Sequence, residues 1–144
     1  MAEPTYRQER YVGQWPMARA AEKSTATMRH LCDKDLLWLL DENDQGVLTG
    51  LYASTEHLTA GKTTILPGRG SKFEAHGGDE CLYVKSGVLN VLTPGKDGQV
   101  WFEVHPQDGF FVPAGADHRY ANMGGEPVEF YFGVAPRYRS TQKP

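Results

Sequence analysis

The chain is 144 residues long, and 15 lysines and arginines against 18 aspartates and glutamates leave a net charge of −3 with the histidines neutral. That length fits one domain with one substantial core and leaves no room for a second fold, while the scattered cations lack the clustered positive face of a nucleic-acid binder. Two cysteines, Cys32 and Cys81, far apart in the chain, do not make a disulfide-stapled scaffold and read as free, partly buried thiols.

Residues 1–27 carry little strand pattern. Pro16, leading into Met17, Ala18, Arg19, Ala20, Ala21, Glu22 and Lys23, predicts a short helix, because proline is tolerated in a first helical turn and the alanines favour the turns after it. The stretch from Met1 to Gln14 is polar, and the most apolar run, Leu36 to Leu40, is far too short to span a bilayer. No signal peptide and no membrane association are therefore expected, and the expected location is cytoplasmic.

From Thr27 onward the chain reads as short strands broken by turns. Asn43, Asp44, Gln45 and Gly46 separate Leu36–Leu40 from Val47–Tyr52, and Pro67, Gly68, Arg69 and Gly70 end Thr63–Leu66. Pro94 to Gly98 then divides Val88–Leu92 from Val100–Val104. Strands spaced by about ten residues, with 16 glycines and 9 prolines in the chain, predict an all-β barrel or sandwich rather than a parallel α/β sheet. The chain shows no internal repeat and no low-complexity tract. The predicted organisation is an arm at 1–27, a β-barrel at 28–136 and a tail at 137–144.

Two segments carry the chemistry. The first runs Glu74, Ala75, His76, Gly77, Gly78, Asp79, Glu80 and closes at Gly87; the second runs Pro113, Ala114, Gly115, Ala116, Asp117, His118 and closes at Asn122. A histidine and a carboxylate four residues apart, with a second histidine behind a Pro-x-Gly turn, can place nitrogen and oxygen ligands on facing strands. Side chains alternate along a strand, so Glu74 shares a face with His76, Glu80 with Leu82 and Val84, and His118 with Tyr120. His76, Glu80 and His118 supply two imidazoles and a carboxylate, a set that can occupy one face of an octahedron and leave positions open. Glu74 is a fourth ligand, with Fe, Mn, Ni or Zn as the suited ion, or a general base.

The two segments resemble the motifs of the cupin family. In that family the first has the form His-x-His, three or four residues, Glu, six residues, Gly, and the second the form Pro-x-Gly-x-x-His-x-x-x-Asn. Here Glu74 stands where the family has its first histidine, and Gln107 stands where the second motif opens with glycine, with Asp108 matching behind it. The resemblance implies an all-β fold, the cupin double-stranded β-helix, a jelly-roll-like antiparallel barrel with a short N-terminal arm. Leading segments in the family often lie across a neighbouring subunit, and Tyr6, Tyr11 and Trp15 suit that role; a homodimer is expected. It also implies one divalent metal ion on His76, Glu80, His118 and Glu74, with Tyr120 as the acid or base on the cavity wall.

Three functions are compatible with this resemblance. The first is a metal-dependent enzyme acting on a small oxygen-rich substrate, whether a sugar, a hydroxy or keto acid or a polyketide-like molecule. Its reaction would be a redox-neutral isomerisation, cyclisation or elimination by Lewis-acid activation, as in an isomerase or lyase. The second is an Fe(II) dioxygenase built on the same ligands. The third is a non-catalytic small-molecule-binding cupin. His30, His57 and His105 have no partner spacing and are assigned no chemistry, and Cys81 points away from the Glu80 face. Gly77, Gly78 and Asp79 are read as shaping the turn after His76, and the aromatics Trp101, Phe102, Phe110, Phe111, Phe130, Tyr131 and Phe132 as core or interface.

Overall fold

The structure, a computed structural model, describes residues 11–12, 28, 30–40, 46–55 and 57–136. Ten strands run through them: β1 Tyr11–Val12, β2 Leu37–Leu40, β3 Val47–Ser54, β4 Thr59–Ile65, β5 Asp79–Ser86, β6 Leu89–Gly95, β7 Gly98–Val104, β8 Gly109–Val112, β9 Arg119–Ala121 and β10 Val128–Ala135. A single turn of 3₁₀ helix, Asp33–Asp35, precedes β2. The helix expected at Met17 to Lys23, the arm apart from Tyr11 and Val12, the turn residues Asn43 to Gln45 and the tail at 137–144 lie outside the described residues. No described helix is long and apolar enough to cross a membrane.

Alternation of side chains sets the strands. Along β4 and β10 every second residue is buried, and along β5 the buried positions are Glu80, Leu82 and Val84 while their neighbours face outward. β4 starts four residues before the expected Thr63, because Thr59 to Lys62 pair with β3 on one side and with β10 on the other. Pairing on both flanks overrides the weak strand preference of an Ala-Gly pair. Pro94 and Gly95, expected in a turn, instead continue β6, and the hairpin closes on Lys96 and Asp97 with Gly95 opposite Gly98. Pro94 is tolerated there because β9 pairs with β6 only up to Leu92, so the missing N–H falls where β6 has a single neighbour.

The strands form two antiparallel sheets, a seven-stranded one ordered β1-β2-β3-β4-β10-β5-β8 and a three-stranded one ordered β7-β6-β9. Both contribute to one core: Leu51, Ile65, Leu82, Val84, Phe130 and Phe132 from the larger sheet pack with Leu89, Val91, Val104 and Tyr120 from the smaller. Each such large apolar side chain taken out of water stabilises the fold by about 1.5–3 kcal/mol before conformational entropy is subtracted. This all-β, antiparallel arrangement is the jelly-roll-like barrel expected from the sequence.

Local ties fix the ends of the barrel around the two motifs. Asn122, fully buried, donates from Nδ2 to the carbonyls of Ile65 and Glu126 at 2.9 and 2.7 Å and accepts from the Gly124 N–H at 2.9 Å. Asp79 does not cap its own turn. Its Oδ1 accepts from the Ala114 N–H at 2.9 Å, so the first motif holds the second. Gly78 is required by close approach, since a Cβ there would collide with the Ala135 carbonyl. On the outer face, Asp33 accepts from Lys62 Nζ at 2.8 Å and from the Tyr52 hydroxyl at 2.6 Å. The Lys62 bond, with that of Tyr52 second, holds the Asp33 carboxyl below the usual carboxylate range.

Candidate metal centre

The cluster is built by backbone register. Glu74 and His118 form an isolated antiparallel bridge in which each N–H donates to the other's carbonyl at 2.9 Å. Residues opposed in this way put their side chains on the same face. His76 lies two residues further along, on the same side as Glu74, and its carbonyl accepts from the Gly115 N–H at 2.9 Å. Glu80 sits on the inner face of β5, opposite Val112 of β8 and Val134 of β10, and Tyr120 lies two residues beyond His118 on β9.

These elements converge at one end of the barrel. Ligand atoms of Glu74, His76 and His118 all lie within 4.8 Å of one another. Glu80 adjoins the group: its Oε1 is 3.6 Å from Nε2 of His76 and 3.6 Å from Nε2 of His118. The two imidazole rings are 5.0 Å apart between centroids. His76, Glu80 and His118 are buried and Glu74 is half-buried. The Tyr120 hydroxyl donates to Glu80 Oε1, and its ring lies 4.9 Å from that of His118. The structure therefore brings together Glu74, His76, Glu80, His118 and Tyr120, and it leaves His105 outside, where Nε2 meets the exposed Glu103 at 3.1 Å.

Protonation is set by the surroundings. His118 Nδ1 lies 3.0 Å from the Ala116 carbonyl, which can only accept, so Nδ1 carries the hydrogen and the Nε2 lone pair faces the cluster. That Nε2 is buried and has no hydrogen-bond partner among the described residues. Burial also holds the His118 pKa below the ordinary imidazole value, which keeps the ring neutral. Burial pushes the Glu80 carboxyl up to about 7; the Tyr120 hydrogen bond pulls the other way, and the charge of Glu74 adds to the rise. Two carboxylates and an inward-facing imidazole lone pair crowded into a buried space suit a divalent cation, which would favour both carboxylates in their charged form. The donor set fits Fe, Mn, Ni or Zn.

A cavity of about 490 Å³ lies on the Phe102 side of His118, whose fully buried side chain is the one member of the cluster in its lining. Phe102, Phe110, Phe111 and Val112 supply much of its wall, and the rings of Phe102 and Phe110 meet edge to face at 5.0 Å. These aromatics were expected in core or interface positions. Phe130 and Phe132 are indeed buried, whereas Phe102 remains 42% exposed at the cavity. The signal for this lay in the inward parity of Phe102 with Val104, but parity alone does not tell a filled interior from an open one.

Comparison with known proteins places the fold. The family model for the cupin domain matches residues 61–134, just over half of the chain. A search of curated proteins gave no match. Among solved structures, the polyketide cyclase RemF from Streptomyces resistomycificus is similar with a TM-score of 0.65 at 15% identity, covering 82% of this chain and 88% of that one. KdgF from Halomonas sp. is similar with a TM-score of 0.61 at 20% identity, covering 77% of this chain and 96% of that one. Fe(II)-HppE with an alternative substrate has a TM-score of 0.64 at 16% identity, covering 79% of this chain and 62% of that one.

Proposed function

This chain belongs to the cupin family, and on that premise we propose that it is a metal-dependent enzyme activating a small oxygen-bearing substrate for a redox-neutral isomerisation, cyclisation or elimination. One observation carries the reading: Glu74, His76 and His118 present ligand atoms within 4.8 Å of one another, with Glu80 Oε1 in reach of both imidazoles. His76, His118, Glu80 and Glu74 would hold one divalent ion, which when bound supplies Lewis-acid polarisation of a substrate oxygen.

The chain's own groups do the rest. The Ala116 carbonyl holds His118 in the tautomer that aims Nε2 inward. Tyr120 orients Glu80 by donating to Oε1, and its buried phenol is a group that can hold a proton at that atom. Glu74 is less buried than the other members and contributes as a ligand or, if it stays uncoordinated, as a base. The apolar side chains packed beneath the cluster exclude water from Glu80 and His118.

Two imidazoles with one carboxylate also match the set used by Fe(II) oxygenases, which favours an iron dioxygenase as the second reading. Fold alone separates neither, because one architecture hosts many chemistries. Elemental analysis of the purified chain should find one divalent ion per chain, and His118→Ala should abolish its binding while the far-ultraviolet circular dichroism stays that of a β protein. Unchanged metal content in that variant would place the site elsewhere. Activity that persists without O₂ on Mn, Zn or Ni selects the redox-neutral enzyme; activity that requires both iron and O₂ selects the dioxygenase.

A further inference from the structure

We propose that the cavity beside His118 selects a neutral, fused-ring aromatic ligand carrying a hydroxyl or carbonyl oxygen, and discriminates against sugars and organic acids. This deepens the metal-dependent reading above and rests on it for the oxygen end of the ligand. The cavity, at about 490 Å³, is of a size that takes a ligand of two or three rings. Its wall is mainly apolar, and the Phe102 and Phe110 rings are already set edge to face, a geometry in which a further aromatic ring packs favourably.

Polar partners decide against a sugar. Thr93, Asp117 and His118 are the polar side chains among the lining residues. A hexose would bring several hydroxyls into contact with phenylalanine and valine, where each loses water without a replacement hydrogen bond.

Charge decides against an acid. Among the described residues no lysine or arginine lines the cavity, and Asp117 places a carboxyl there. Behind His118 stand two further carboxyls, Glu74 and Glu80. Together they balance the two charges of a divalent ion, whereas the family pattern, with histidine at position 74, leaves one positive charge uncompensated. The replacement by Glu74 therefore removes the pull that the centre would exert on an anionic substrate.

The test is calorimetric titration of the Zn(II)-loaded protein at neutral pH with three probes: 2-naphthol, 2-naphthoate and methyl glucoside. 2-Naphthol should bind, 2-naphthoate should bind at least about tenfold more weakly, and the glucoside should give no binding heat. Phe102→Ser, at a position already open to solvent, should weaken 2-naphthol by about tenfold without changing metal content. Asp117→Asn should bring the affinity for 2-naphthoate closer to that for 2-naphthol. The proposal is overturned if the metal-loaded protein does not bind 2-naphthol, if it binds the glucoside or 2-naphthoate as tightly, or if Phe102→Ser leaves the 2-naphthol affinity unchanged. Failure of the metal reading looks different. A protein that takes up no Zn(II) yet binds 2-naphthol through Phe102 retains the aromatic selectivity and loses the metal centre, while one that loads Zn(II) and prefers 2-naphthoate retains the centre and loses the selectivity.

Discussion

At position 74 the chain carries a carboxylate where the family pattern has a neutral imidazole, and the backbone around it is held by bonds that do not depend on the side chain. The Glu74 N–H and carbonyl both pair with His118, so a substitution there alters the donor set and leaves the strand contact in place. Glu74→His, which restores the usual family pattern, should therefore retain the metal. Glu74→Gln should weaken metal binding by about tenfold or more, because a neutral amide oxygen gives less charge compensation to a cation in a low-dielectric site. Competition of the two variants with a chromogenic chelator checks this, and equal affinity in wild type and Glu74→Gln would remove Glu74 from the ligand set. That His76, Glu80, His118 and Glu74 come together was legible in the sequence, since motif spacing and side-chain parity are local properties. The Tyr120 contact to Glu80 was not, because its partners are 40 residues apart and meet only across the two sheets.

The turn from β7 into β8 shows what one departure from the family pattern costs an element. Gln107 stands where the family has glycine, and its φ of 75° is in the left-handed region, where a Cβ is crowded by the following carbonyl. The turn keeps this geometry because the Gln107 N–H donates to the Val84 carbonyl at 2.8 Å and the Val84 N–H donates to the Asp108 carbonyl at 3.0 Å. Relief of the left-handed strain, worth about 1–2 kcal/mol, exceeds the extra unfolded-state freedom of glycine, worth about 0.5–1 kcal/mol. Gln107→Gly should thus raise stability by up to about 1 kcal/mol and Gln107→Val should lower it, as read from the urea midpoint. A Gln107→Gly variant less stable than wild type would contradict this. Strands were legible where alternation was strong, as in β5. The start of β4 and the Pro94-Gly95 end of β6 were not, since both are decided by partners that the local sequence does not contain.

For the molecule as a whole, the core and the cluster meet at Tyr120, and the apolar packing that holds the two sheets together is made by side chains other than His76, Glu80 and His118. The barrel should consequently fold without metal and gain stability when metal binds. With free metal at 100 times its dissociation constant the gain is about 2.7 kcal/mol, which for a domain of this size raises the melting temperature by roughly 5–10 °C. Differential scanning calorimetry with and without chelator measures it, and a melting temperature indifferent to metal would speak for a barrel that only binds small molecules. The all-β class was legible from turn spacing and strand alternation, whereas the open interior beside Phe102 depends on how two sheets close over each other. The Asp79 bond to the Ala114 N–H and the Gly115 bond to the His76 carbonyl clamp the two motifs together through groups that no ligand substitution touches. Position 74 then behaves as a socket in a rigid frame: one codon changes the charge of the cluster without renegotiating the backbone bonds by which the protein folds.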